Sequence, residues 1–273
     1  MNSANQAQSH TVAILAFNNH AVTEKCVARV RESGFCGELI LVDNGSEPNF
    51  EALARQYSCV YVRNRVNRYV NPAWNQIFRK CKTEYLTLLN NDCLVRDKYL
   101  DSVVRVMDNR RISLLSPTLK LAEALEISSD EFRSEESQPL INPAASREGH
   151  VMTINMTHYR NCRWRIPRML LIWGGDDWIW GQLRSRGYVC GRISNWTCVG
   201  EMHSTIKKYN RIIQPILDRD ARRMNNSLMI CNLLVHADPS RAGQVLSRRS
   251  YLGLFGAIRY RMSWVRDRIQ MSL

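Results

Sequence analysis

Four short runs of apolar residues dominate the first hundred positions of the chain. Each run has the length of a buried strand, and the four lie at 12–17, 39–42, 60–62 and 85–89. Between the first two runs, Val22, Cys26 and Val30 recur at helical spacing, which places them on one face of a helix. Buried strands that alternate with amphipathic helices predict an α/β fold with a mostly parallel sheet.

Polar residues follow three of these strands at the positions where the strands end. The three clusters are Asn18-Asn19, Asp43-Asn44-Gly45-Ser46 and Asn90-Asn91-Asp92. Each cluster alone has the composition of an ordinary turn. Sheets of this type, however, bind their ligands outside the carboxyl ends of the strands. The common placement of the clusters therefore predicts a single binding crevice.

Asp92 is the candidate metal ligand of this crevice. A carboxylate at a strand end can bind Mg²⁺ or Mn²⁺, and the cation can neutralise a diphosphate. The competing interpretation is that Asn90-Asn91-Asp92 forms a turn or a helix cap. His203 would be a further metal ligand if the fold brings it to Asp92, although a lone histidine is more often structural.

Two adjacent carboxylates, Asp176 and Asp177, stand among three tryptophans and two glycines in the segment 173–180. Tryptophan faces suit the apolar faces of sugar rings, so Trp173 and Trp178 are candidate acceptor contacts. A carboxylate beside them could remove a proton from a hydroxyl group as a general base. The alternative is a helix start with acidic residues in its first turn.

The formal net charge of +13 is unevenly distributed. Residues 121–149 hold seven acidic and two basic residues, which indicates a surface insertion or a lid. Residues 241–273 hold seven arginines and one acidic residue, with apolar residues at helical spacing between them. This basic helical stripe could lie on an anionic membrane or could pack on the protein.

A positive field favours polyanionic partners such as sugar nucleotides, nucleic acid or an anionic membrane surface. Arg163 and Arg165 flank Trp164, and this combination suits contact with phosphate groups or with a polyanionic acceptor. The alternative for these arginines is a solvated face. The charge does not by itself decide among the partners.

The N-terminus has no signal-peptide pattern, and no apolar run approaches the roughly 20 residues that span a bilayer. We therefore expect no transmembrane segment and a disordered tail at residues 1–10. We also expect a cytoplasmic protein, whether free, peripheral at the inner membrane face or on DNA.

The order and spacing of four motifs resemble those of the family 2 glycosyltransferases. The motifs are Val12 to Asn19, Asp43 to Ser46, Asn67 to Asn75 and Leu88 to Asp92. The resemblance covers residues 12–107 well and 150–204 more loosely. It implies a GT-A fold, in which a Rossmann-like, mostly parallel sheet has flanking helices. It also implies inverting transfer of a sugar from a nucleotide diphosphate sugar in a single displacement.

The resemblance assigns roles to the candidate residues. Residues expected at the nucleotide sugar are Phe17, Asn18, Asp43, Asn44, Asn75, Asn90 and Asn91. Asp92 matches the metal-binding acid of the family's Asp-x-Asp motif, whose first acid is replaced here by Asn90. His203 lies where several GT-A enzymes have a metal-binding histidine.

The stretch Trp173 to Asp177 resembles the catalytic segment of GT-A enzymes, including Trp-Gly-Gly-Glu-Asp of the β-1,4-galactosyltransferases. Counting back from Gly187-Tyr188, a pair the family shares, assigns the general base to Asp176. Alignment on the glycines assigns it to Asp177 instead. Both assignments stay open.

This interpretation divides the chain into a tail (1–10), a GT-A catalytic domain (11–204) and a basic helical C-terminal extension (205–273). Within the domain, residues 11–107 form the nucleotide-sugar half, 121–149 the acidic insertion and 150–204 the acceptor half. The acceptor is a surface glycan or glycoconjugate in one hypothesis and a hydroxymethylated base of DNA, as in phages, in another. A non-catalytic module that binds polyanions or glycans is the alternative of another class.

Overall fold

The computed structural model describes residues 9–122, 138–142, 149–162, 165–168, 170–201, 211 and 213–222. Its strands are β1 (His10–Ala16), β2 (Glu38–Asp43), β3 (Val60–Arg63), β4 (Tyr85–Asn90), β5 (Cys93–Leu94), β6 (Ile112–Leu121), β7 (Ile141–Asn142), β8 (Val151–Asn155) and β9 (Val189–Gly200). Its helices are α1 (His20–Glu32), α2 (Glu51–Gln56), α3 (Val70–Lys80), α4 (Tyr99–Arg110), α5 (Met156–Arg160) and α6 (Gly175–Ser185). Residues 213–222 are also helical.

The strands form a single sheet in the order β3-β2-β1-β4-β8-β6-β9-β5, and β7 pairs with β9. The half made of β3, β2, β1 and β4 is parallel throughout. In the other half, β8 runs antiparallel between β4 and β6, while β6 and β9 are parallel. The predicted α/β GT-A fold is confirmed, and the parallel half consists of the four predicted strands.

The central strands are buried on both faces, which explains their continuous apolar runs. Val12 and Ile14 of β1 belong to one core cluster, whereas Ala13 between them belongs to the cluster on the other face. Helix α3 begins at Val70, and Pro72 lies in its first turn, where a backbone N–H group has no partner within the helix. Helices α1 and α4 pack in the first cluster and helices α3 and α6 in the second, so both faces of the sheet are covered.

The structure corrects the predicted N-terminal boundary. His10 begins β1 and is buried, and its Nε2 lies 2.8 Å from Thr87 Oγ1, so this residue is not part of a disordered tail. Residues 1–8 lie outside the described part of the chain. The hydrogen bond to Thr87 explains how a histidine is tolerated in a core strand.

The predicted acidic insertion and C-terminal extension are described only in part. Within 121–149, the short strand β7 pairs with β9, and residues 123–137 and 143–148 lie outside the described residues. In the extension, residues 213–222 are helical as predicted, and the arginine-rich 241–273 segment lies outside. No helix in the described ranges is long and apolar enough to cross a membrane.

Candidate active site

The ends of β1 and β2 are joined by direct hydrogen bonds. Asn18 has a left-handed backbone with φ 50°, a conformation that asparagine tolerates better than most residues. Its backbone N–H donates to Ser46 Oγ at 2.8 Å, and its Oδ1 accepts from the N–H of Glu47 at 3.2 Å. Phe17 lies at the same end of β1, half-buried. The first two predicted polar clusters therefore meet.

Asp43 is fully buried and holds the loop that follows β2. Its Oδ1 accepts from the N–H of Ser46 at 2.8 Å, and its Oδ2 accepts from the N–H of Phe50 at 3.3 Å and the hydroxyl of Tyr61 at 2.6 Å. Arg63 Nε lies 3.9 Å away. Burial, and then the hydrogen bond to Asp43, raise the pKa of Tyr61. Contact of Asp43 with a base or ribose stays a prediction.

Asn44 connects β2 to the start of α3. Its Nδ2 donates to Asn67 Oδ1 at 2.8 Å and to the backbone oxygen of Tyr69 at 3.3 Å. Its Oδ1 accepts from Asn64 Nδ2 and from the N–H of Arg68, both at 3.1 Å. These four bonds use the usual capacity of an amide, so Asn44 shapes the loop 64–69. Direct contact of Asn44 with the nucleotide sugar stays a prediction.

The end of β4 is anchored on both sides. The backbone N–H of Asn90 donates to the backbone oxygen of His150 at 2.9 Å, next to the start of β8. Asn91 is buried, and its Nδ2 donates to Thr23 Oγ1 of α1 at 2.8 Å. These contacts orient the turn that presents the following residue, Asp92.

Asp92 is half-buried at this turn, and β9 ends beside it. The backbone N–H of Glu201 donates to the backbone oxygen of Asp92 at 3.0 Å. His203 follows two residues later and lies outside the described residues, so its convergence on Asp92 stays a prediction. Among the residues that the structure describes, no three His, Cys, Asp or Glu side chains form a preformed metal cluster.

Asp176 and Asp177 are half-buried in the first turn of α6. The side chain of Asp176 packs against Gly149, where an added Cβ would lie 2.7 Å from Asp176 Oδ2 and 3.0 Å from its Cγ. Gly149 immediately precedes His150, the residue that pairs with Asn90. The first turn of α6, which carries both carboxylates, therefore lies at the same edge of the sheet as the turn after β4.

The loop 171–173 leads into α6 and is held by α3. The backbone N–H of Asn71 donates to the oxygen of Leu171 at 2.9 Å, and Asn71 Nδ2 donates to the oxygen of Trp173 at 3.1 Å. A Cβ on Gly175 would overlap Asn71 Oδ1, so glycine at the first residue of α6 lets this helix approach α3 without displacing the Asn71 amide. Asn71 lies within the predicted Asn67 to Asn75 motif, but its role depends on a contact that is remote in sequence.

Asp220, in the helical segment 213–222, accepts hydrogen bonds from the backbone N–H groups of the same loop. This carboxylate is fully buried, and its Oδ2 accepts from the N–H groups of Leu171 and Ile172 at 2.7 Å and of Trp173 at 3.3 Å. The sequence carries no local signal for this role, because Asp220 is one of two acids in this helical stretch and no pattern distinguishes it from Asp218. Part of the predicted extension therefore contacts the loop that leads into α6.

The predicted acceptor contacts have different surroundings. Trp173 is 50% exposed and Arg165 is also exposed, as an acceptor contact requires. The structure corrects the prediction for Trp178, which is 4% exposed and packs in the core, where it is too buried to contact an acceptor. Arg163 lies outside the described residues.

Asn75 is largely buried in α3, and its Nδ2 donates to the backbone oxygen of Ile166 at 2.8 Å. Its Oδ1 is buried without a hydrogen-bond partner. The side chain thus ties the segment 165–168 to α3. The predicted contact of Asn75 with the donor stays a prediction.

The parallel half-sheet, the polar turns at its carboxyl edge and the acidic helix start beside them have the arrangement that the resemblance to GT-A glycosyltransferases implies. The model of the family "Glycosyl transferase family 2" matches residues 11–159. The chain belongs to this family and is a glycosyltransferase. No curated protein matches it in sequence.

Solved structures of S. aureus TarS have the same fold. For TarS 1–349, the TM-score is 0.59 at 12% identity, covering 90% of this chain and 76% of that one. For TarS 1–349 in complex with UDP, the TM-score is 0.65 at 12% identity, covering 88% and 70%. For a further TarS structure, the TM-score is 0.58 at 9% identity, covering 86% of this chain and 45% of that one.

Proposed function

We propose that this chain is an inverting glycosyltransferase that transfers a sugar from a nucleotide diphosphate sugar to a hydroxyl group. The connection from Asp176 through Gly149 and His150 to Asn90 carries the proposal, because it brings a candidate base to the candidate donor site. The UDP held by one TarS structure supports a nucleotide diphosphate as part of the donor.

In this mechanism, Asp176 or Asp177 removes the proton from the acceptor hydroxyl. The acceptor oxygen forms a bond to the anomeric carbon of the sugar from the face opposite the diphosphate. The bond between that carbon and the diphosphate oxygen breaks, and the nucleoside diphosphate leaves with the electron pair. A single displacement of this kind inverts the anomeric configuration.

A divalent cation fits this site through the chemistry of its donor set. Asp92 is half-buried at the turn that follows β4 and offers a carboxylate, and Mg²⁺ and Mn²⁺ prefer such oxygen ligands. Asp92 would hold the cation, with His203 as the second protein ligand. When bound, the cation would neutralise the charge of the leaving diphosphate.

The acceptor in this proposal is a surface glycan or glycoconjugate. Trp173, half of whose surface is exposed, immediately precedes the glycines at the start of α6, and an aromatic face can stack on the apolar face of a sugar ring. Arg165 is exposed on the neighbouring segment and could contact a negatively charged group of the acceptor.

A nucleotide-release assay tests the donor and the metal together. UDP-, GDP- and dTDP-sugars would each be offered with Mg²⁺, Mn²⁺ or chelator, and NMR of the product would give its anomeric configuration. We expect one donor to be turned over with inversion and Asp92→Asn to require more metal. Retention of the configuration would exclude the single displacement, and full activity in chelator would exclude the metal.

Substitution of each acid tests the general base. We expect Asp176→Asn or Asp177→Asn to lower kcat by about 10²–10⁴-fold, the usual contribution of a general base. Asp218→Asn is the matched control, because Asp218 is an exposed acid on the segment 213–222. Unchanged transfer in both Asp176→Asn and Asp177→Asn would show that neither residue is the base.

Two acceptor arms separate the remaining hypotheses. Glycan or glycoconjugate acceptors are compared with DNA that carries hydroxymethylated bases, and binding to each is titrated with salt. Transfer to DNA, with a steep fall of log K against log salt, would replace the glycan acceptor by DNA. Binding without turnover of any donor would instead indicate a non-catalytic module.

A further inference from the structure

The carboxylate of Asp220 is a fully buried charge outside the part of the chain that the family model matches. A buried carboxylate is costly unless hydrogen bonds and an opposite charge compensate it. Here three consecutive backbone N–H groups, those of residues 171–173, converge on Oδ2. Arg219 Nη2 lies 3.2 Å from Oδ1 and supplies the positive charge.

The loop 171–173 is held from its carbonyl side as well. Asn71 donates its backbone N–H to the oxygen of Leu171 and its Nδ2 to the oxygen of Trp173. Asp220 and Asn71 together therefore bind five backbone groups of three residues. So many hydrogen bonds on a segment this short leave it one conformation.

This loop decides where α6 begins. Gly174 follows it with φ 77°, and its backbone oxygen accepts the N–H of Trp178, which closes the first turn of the helix. Asp176 and Asp177 lie in that turn. A shift of the loop 171–173 therefore moves both carboxylates, because a single helical turn connects the loop to Asp176 and Asp177.

We propose that Asp220 is a positioning residue for the acidic pair Asp176-Asp177 in sugar transfer. It acts through the backbone of residues 171–173 and touches neither donor nor acceptor. The helical segment 213–222 then supports the active site through this one side chain, without lining it. The inference rests on the proposed function, since it assumes that one of the two acids is the base.

Kinetics of Asp220→Ala and Asp220→Asn test this role. We expect Asp220→Ala to lower kcat by on the order of 10–10²-fold, as a misplaced catalytic group does, with the Kd for UDP within about twofold of wild type. Asp220→Asn keeps one acceptor oxygen and should recover part of the rate. Asp218→Asn, on the same segment, should behave as wild type.

A double variant separates positioning from general damage. Once the base is absent, loss of its positioning residue costs nothing more in kcat, so adding Asp220→Ala to the slower of Asp176→Asn and Asp177→Asn should leave the residual kcat unchanged at saturating acceptor. A further fall of tenfold or more would overturn the proposal. If Asp220→Ala does not fold, the same comparison uses Asp220→Asn.

The outcomes also distinguish this inference from the proposed function. A folded Asp220 variant with wild-type kcat overturns the inference and leaves the base assignment intact. Full activity of both Asp176→Asn and Asp177→Asn refutes the base whatever Asp220 does. A Kd for UDP that weakens in parallel with kcat would show that Asp220 supports the whole site, which also contradicts a role limited to the acidic pair.

Discussion

Substitution of Gly175 by alanine tests the contact between α3 and the start of α6. A Cβ at this position would overlap Asn71 Oδ1, and it would lie 2.8 Å from Asn71 Cγ and 3.1 Å from Trp74 Cζ3. Carbon atoms in contact prefer about 3.5–4.0 Å, so the Asn71 amide has to move. It cannot move without losing its hydrogen bond to the oxygen of Trp173.

The expected cost follows from these two effects. Overpacking costs about 1–3 kcal/mol and a lost hydrogen bond about 0.5–1.5 kcal/mol, so Gly175→Ala should destabilise the protein by about 1.5–4.5 kcal/mol. For a chain of this size, that corresponds to a fall in Tm of roughly 3–18 °C. Because the acids in the same turn are displaced, kcat should fall by up to about 10²-fold.

A double-mutant cycle with Asn71→Ala isolates the cause. Thermal or urea unfolding and the nucleotide-release assay would be applied to Gly175→Ala, Asn71→Ala and the double variant. Removal of the Asn71 amide makes room for the new methyl group, so the double variant should be more stable than the sum of the single effects predicts, by about 1–3 kcal/mol. Strict additivity, or a Gly175→Ala protein with wild-type Tm and kcat, would refute the contact.

Three further predictions concern other parts of the molecule. A Cβ in Gly149→Ala would lie 2.7–3.0 Å from the Asp176 side chain, so kcat should fall by about tenfold or more while Tm changes little; an unchanged kcat would contradict this. Burial lowers the pKa of His10 from 6.5 to about 3, so the unfolded chain takes up a proton first as the pH falls. The contribution of His10 to the free energy of unfolding should be fully present above pH 6.5 and should fall below that pH by up to about 1.4 kcal/mol per pH unit in urea titrations. His10→Gln should flatten this dependence, and an equal slope in the wild type and the variant would disprove the assignment. Tyr61→Phe removes a hydrogen bond to the buried Asp43 and should cost about 1.5–3 kcal/mol in urea unfolding, which an unchanged midpoint would contradict.

The sequence predicts the parallel half of the sheet because its signals are local. Strands buried on both faces have continuous apolar runs, and the turn residues that follow them stand next to them in the chain. The meeting of Asn18 with Ser46 could be expected for the same reason, since neighbouring parallel strands end at one edge. β8 gave no such signal of direction, because a strand with every residue buried has the same pattern whether it is parallel or antiparallel.

The orientation of individual polar side chains depended on the tertiary structure. The sequence predicts that Asn44 and Asn75 both bind the nucleotide sugar. In the structure, both residues use their amides to hold neighbouring loops. Trp178 stands in the same tryptophan-rich stretch as the exposed Trp173, but its position in α6 turns it into the core. A pattern of residue types shows which residues can bind a ligand, and packing decides which ones face it.

By itself, the sequence determined the class of fold, and it predicted the edge of the sheet that carries the candidate site and the acidic pair that supplies the candidate base. Only the tertiary structure showed what holds that pair in place. The loop 171–173 is clamped by Asn71, 102 positions from Trp173, and by Asp220, 49 positions from Leu171. Contacts at such separations leave no periodicity and no motif in the chain, because they depend on where the folded backbone brings single polar groups together.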